Sequence, residues 1–224
     1  MATERPRRTT AALLVAMTVV ACACAPRAAA QTPSSGDEPG ELAAIARARA
    51  DSVRHPYTAA DVHFMSSMIG HHAQAIVMSR WAPTHGASAS VQTLAARIIN
   101  AQQDEIATMQ QWLRDREQAV PEARATGMKM MIDGVEQEML MPGMLTEPQM
   151  KQLDEARGPE FDRLFLTFMI QHHRGAVSMV TDLFGSYGAG QDEVVFKFAS
   201  DVNVDQSTEI ARMQKMLVAL TFGD

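Results

Sequence analysis

DVHFMSSMIGHHAQAIVM (residues 61–78) and DRLFLTFMIQHHRGAVSM (residues 162–179) are one segment written twice. At an offset of 101, Asp61/Asp162, Phe64/Phe165, Met68/Met169, Ile69/Ile170, His71/His172, His72/His173, Ala75/Ala176 and Met78/Met179 are identical. The segments that follow match at an offset of 104, with Gln102/Gln206, Glu105/Glu209, Ile106/Ile210, Met109/Met213 and Leu113/Leu217 identical. The apolar positions recur at helical spacing, and no segment alternates as a strand would. The chain therefore reads as two copies of a helical hairpin. One hairpin has a single apolar face and cannot bury it alone. Pairing two gives an all-α four-helix bundle with approximate two-fold symmetry.

Local signals set the boundaries. Thr58 caps a helix that runs to about Trp81, with Asp61 three residues on. A second helix is predicted over about 90–116. Thr146 caps a short helix with Pro148 in its first turn, and Gly158-Pro159 opens a helix to about Phe184. The last runs over about 192–220. The expected organisation is repeat one over 58–116, a Met-rich connection over 117–158 and repeat two over 159–220. Upstream, 41–54 reads as a weak helix, and 31–57 as a tether with that helix.

On a helix of about 100° per residue, Met68, His71, His72, Ala75 and Met78 fall on one stripe. Met169, His172, His173, Ala176 and Met179 repeat it. Gln102, Glu105 and Met109, with Gln206, Glu209 and Met213, make the facing stripes. The bundle should bring four His, two Glu and several Met towards one interior. A Met stripe alone is ordinary core. Two inward His-His pairs are not, because each buried ring nitrogen needs a partner, and a metal supplies one. His55, His63 and His85 lie off the stripe and read as surface residues. Met65 also lies off it and has no assigned role.

A ferritin-like di-iron site needs a Glu-x-x-His on each of two helices. Here Met68, Ile69, Met169 and Ile170 stand three residues before the His, so iron is disfavoured. Imidazole and thioether suit copper, above all Cu(I), and the similar Ag(I). Zinc could use His and Glu but has little use for Met. The connection adds Met128, Met130, Met131, Met139, Met141 and Met144 within seventeen residues. Thioethers so closely spaced can wrap a soft cation, or they can cover the end of the bundle.

The N-terminus reads as an export address. Arg5, Arg7 and Arg8 precede an uncharged, mostly apolar run over 11–25, too short for a comfortable span and suited to a signal peptide over 1–30. Cleavage after Ala28-Ala29-Ala30 and lipidation at Cys22, within Val19-Val20-Ala21-Cys22, both remain open. The 224-residue chain has 17 Met and 2 Cys, both Cys before residue 25. Loss of 1–30 leaves no Cys and a more acidic domain. Thiols oxidise outside the cytosol, whereas thioethers remain usable ligands there. The formal net charge of −6 disfavours nucleic acid as a partner. A membrane contact would come only through a lipid at Cys22.

The repeated Met-Ile-x-His-His-x-x-Ala-x-x-Met, at 68–78 and 169–179, resembles the signature of a bacterial family, the domain of unknown function numbered 305. Residues 144–179 are similar to that family's middle, and the resemblance spans about 58–220. It implies a ferritin-like bundle, usually exported, and some members are periplasmic copper-binding proteins linked to copper resistance. The matching positions are the two Met/His stripes. Many relatives have Gly-Met-Met where this chain has Gly143-Met144-Leu145, which implies one loop donor fewer.

The leading expectation is an extracytoplasmic copper-binding protein at the periplasm or cell surface. It would sequester Cu(I) or Cu(II), or hand it to a partner protein, with no catalytic residues. The alternatives are a metal-dependent oxidase using His with Glu105 and Glu209, and a metal-free interaction module. No nucleophilic triad or phosphate-binding loop stands in the sequence.

Overall fold

The computed structural model describes residues 38–54, 56–125, 127–132 and 134–223. The signal-peptide and lipidation readings fall outside these residues, as does His55. Among the described residues no helix is long and apolar enough to cross a membrane.

Among the described residues six helices carry the fold: α1 (Glu38–Arg54), α2 (Ala59–Arg80), α3 (Ala89–Asp115), α4 (Glu147–Glu155), α5 (Pro159–Gly185) and α6 (Glu193–Phe222). The fold is all-α, built from two hairpins, α2–α3 and α5–α6, that meet chiefly through α2 and α5. α2 starts where its capping box places it. Asp61 N–H donates to Thr58 Oγ1 at 3.3 Å, and Thr58 N–H donates to Asp61 Oδ2 at 2.6 Å. α3 and α6 are capped by Ser88 and Asp192. The Asp192 carboxylate also accepts Trp112 Nε1–H at 3.0 Å and pairs with Arg116. That tie fixes the end of one hairpin to the start of α6.

α2 and α5 are buried over most of their circumference, as central helices must be. Phe64, Met65, Met68 and Phe198 belong to one part of the core, and Met78, Phe161, Phe165 and Met169 to another. Each such side chain contributes roughly 1.5–3 kcal/mol by leaving water. Met65, off the stripe, is as buried as its neighbours.

Two readings of the sequence need correction. The connection holds a β-hairpin, β1 (Met128–Ile132) paired antiparallel with β2 (Val135–Met139). Ile132 pairs with Val135, so two residues form the turn, and Gly134 there has φ 79°. His85 is not a surface residue. It is 5% exposed, and its Nε2 lies 2.9 Å from Asp154 O and 3.0 Å from Asp154 Oδ1. The His85 carbonyl accepts Gly158 N–H at 2.8 Å. His85 thus ties the α2–α3 turn to the end of α4 and the start of α5.

The repeated aspartates join the hairpins reciprocally. Asp61 Oδ1, at the start of α2, accepts Gly190 N–H in the α5–α6 turn at 2.7 Å. Asp162, at the start of α5, accepts Ser88 N–H in the α2–α3 turn at 3.1 Å. Both carboxylates are buried, so each bond forms out of water, where leaving it unmade is costly.

Candidate metal centre

The four stripe histidines meet where α2 crosses α5. His71, His72, His172 and His173 are all 0% exposed. The His71 and His172 rings are nearly in contact, with centroids 3.8 Å apart. The His72 and His173 rings lie 6.3 and 6.2 Å from those of their neighbours in sequence. The stripe reading is correct for these residues.

The hydrogen bonds fix the tautomers. His71 Nε2 lies 3.0 Å from Pro142 O, and His172 Nε2 lies 3.0 Å from His71 O. A carbonyl only accepts, so both Nε2 atoms carry the proton. His173 Nε2 donates to Glu209 Oε2 at 2.7 Å. His72 Nε2 comes within 2.8 Å of Glu105 Oε2 but out of line for a hydrogen bond. In all four residues Nδ1 is buried and has no hydrogen-bond partner. In His71, His172 and His173, where Nε2 holds the proton, the Nδ1 lone pair points into protein with nothing to accept from.

The electrostatics agree with neutral rings at His71 and His172. Burial, and then the neighbouring His72, push His71 down from 6.5 to about 3. Burial and His71 push His172 well below its ordinary value. The flanking layer is polar and acidic: Gln102 and Gln206 are buried with unpartnered amide atoms. Burial and then the charge of Glu105 raise the Asp205 carboxyl nearby.

The thioethers divide among places the stripe did not separate. Met68 and Met169 are fully buried, in the two halves of the core. Met78 is buried with Phe161 and Phe165, and Met179 is in the other half. Met141 and Met144 are buried where the connection crosses the bundle, whereas Met131 and Met139 are exposed on the β-hairpin. The backbone register sets Met128 opposite Met139 and Met130 opposite Gln137. The structure therefore does not gather the six connection methionines at the histidines. Among the described residues no three His, Cys, Asp or Glu donors converge as a ready-made ligand cluster.

The crossing segment, residues 140–146, lies over this centre. His71 holds Pro142 O. Gln74 clamps Leu145 on both sides, donating to its carbonyl at 3.0 Å and accepting its N–H at 2.7 Å. At the matching position in the second repeat stands Gly175, against which the segment lies backbone to backbone. A Cβ there would sit 1.9 Å from Pro142 O. Gly143, at φ 78°, completes the close approach. Sequence reasoning assigned no role to Gln74 or Gly175, which form one of several differing pairs in the repeat.

The family model described as Domain of unknown function (DUF305) matches residues 61–217. The structure of a DUF305 protein from Streptomyces coelicolor, described as secreted, is similar at 27% identity and a TM-score of 0.59, covering 72% of this chain and 92% of that one. A DUF305 fragment from Deinococcus radiodurans is 26% identical with a TM-score of 0.59, over 72% of this chain and 97% of that one. CopM in its Cu(II)-bound form is 28% identical with a TM-score of 0.54, over 70% of this chain and 95% of that one. CopM is also known in Cu(I)-bound and Ag-bound forms. No curated protein matches.

Proposed function

The chain belongs to the DUF305 family, and from that premise we propose that it is an exported copper-binding protein that carries Cu(I) as cargo. One observation carries this reading: four buried imidazoles with Nδ1 unpartnered, three of them with Nε2–H held by oxygen. That is how metal-binding imidazoles are oriented, with the far nitrogen bonded to a carbonyl or carboxylate. At His71 and His172 neutral rings also leave the lone pair available without prior loss of a proton. CopM, which binds Cu(I), Cu(II) and Ag in its solved forms, supports the choice of cation.

In this reading His71 and His172 are the central donors, with Met68 and Met169, one turn away on the same stripes, as soft donors. His72 with Glu105 and His173 with Glu209 form flanking pairs suited to Cu(II), and Met78 and Met179 extend the stripes. Met128, Met130, Met131, Met139, Met141 and Met144 capture the cation or pass it to a partner protein. Residues 1–30 direct export, 31–57 tether the bundle of 58–220, and Cys22 is the candidate lipid site. Iron and zinc fit this donor set less well.

Anaerobic competition with a chromogenic Cu(I) chelator tests the reading. The double substitution His71→Gln/His172→Gln keeps side-chain polarity, and circular dichroism checks its fold. We expect Cu(I) affinity to fall by more than about tenfold. Equal uptake by a folded double variant would sink the assignment.

A further inference from the structure

The two repeats match in sequence, yet the grooves beside their central helices do not match. Beside the start of α5 and the end of α2, the second core cluster includes Leu145 and Leu153 packed with Met78, Leu164 and Phe168. The repeat-related groove, beside the start of α2 and the end of α5, is a cavity of about 470 Å³. Three apolar positions of the filled groove carry polar groups in the open one. Leu164 corresponds to His63, Phe168 to Ser67 and Trp81 to Asp182. Three thioethers complete the wall, Met139 from β2, Met141 from the crossing segment and Met179 from α5. Core filling does not explain Met139, which is 42% exposed.

We propose that this cavity is a second, outer soft-cation site, taking Cu(I) or Ag(I) on the His63 imidazole and the Met139, Met141 and Met179 thioethers. Asp182 on the wall adds negative charge that favours a cation over a neutral ligand. The donors come from four separate elements, which the fold brings to the wall of one cavity. Thioether with imidazole selects a soft monovalent cation over Zn(II) or Mg(II). His63 is exposed, so this site meets solvent, unlike the sealed His71–His172 pair. Pro142 borders both: it lines the cavity, and its carbonyl accepts from His71. The choice of cation rests on the copper-binding reading above; the site itself is independent of the interior histidines.

The test is a titration of the purified protein with Ag(I), followed by NMR of ¹³C-labelled methionine methyls and by counting bound silver. We expect the Met139, Met141 and Met179 methyls to shift together. We expect His63→Ala to weaken that step by about tenfold, and Met139→Leu/Met141→Leu/Met179→Leu, which keeps volume, to remove one equivalent. The step should persist in His71→Gln/His172→Gln. Shifts confined to the exposed Met131 and Met139, or a His63→Ala titration like that of the parent protein, would overturn the outer site. Loss of the step only in His71→Gln/His172→Gln, with the three methyls unmoved, would overturn it and leave the interior reading standing. Movement of the three methyls with uptake indifferent to His71 and His172 would support the outer site and remove the interior one.

Discussion

At the scale of the residue, the central imidazoles make stability depend on pH. His71 and His172 have folded-state pKa values below the 6.5 of a free imidazole. The unfolded chain therefore binds these protons first. Their cost is absent above about pH 6.5 and grows as pH falls towards 3, by about 1.4 kcal/mol per pH unit for each such histidine. The melting temperature of the metal-free protein is expected to drop from pH 7 to pH 4, and His71→Gln/His172→Gln should flatten that slope. A flat parent profile would show that water reaches the rings. The inward direction of the four histidines was legible in the sequence, because helical spacing fixes the face on which a side chain lies. The hydrogen bonds that set their tautomers were not, since Pro142 O and His71 O come from segments whose approach no local pattern records. His85 was misread for the same reason. Its partner Asp154 lies 69 residues away.

At the scale of the element, the crossing segment shows what one missing side chain does. Gly175→Ala would put a methyl within 1.9 Å of Pro142 O, so the segment must lift or α5 must shift. We expect a loss of about 1–3 kcal/mol in urea unfolding, with faster hydrogen exchange at Leu145 N–H, now held by Gln74. Gln74→Ala should speed the same exchange while leaving Leu145 unpaired, at a cost of about 1–3 kcal/mol. Helix ends were largely legible. Thr58, Thr146 and Pro159 act where caps and first turns act. The β-hairpin was missed although Ile132-Asp133-Gly134-Val135 carries the Asp-Gly signal of a two-residue turn. It was missed because the segment, punctuated by Gly127, Gly134 and Pro142-Gly143, reads as an irregular connection.

At the scale of the whole molecule, the repeat made the two-hairpin architecture readable, but not how the hairpins would lock. The identity of Asp61 and Asp162 was visible. That each reaches the other hairpin's turn was not, because a cap and a long-range acceptor have the same sequence signature. Asp162→Ala should cost about 1–3 kcal/mol and accelerate exchange at Ser88 N–H by the corresponding factor. Unchanged stability would mean that water replaces the carboxylate. This lock has a further meaning. Each hairpin offers one acceptor and receives one, so the joint is self-complementary in the way of a two-fold dimer. A half-length chain with a single hairpin would greet its own copy through the same two bonds. Fusing such a pair frees each half from having to serve both roles. One groove can then be stopped with leucine and its twin left open to the cation.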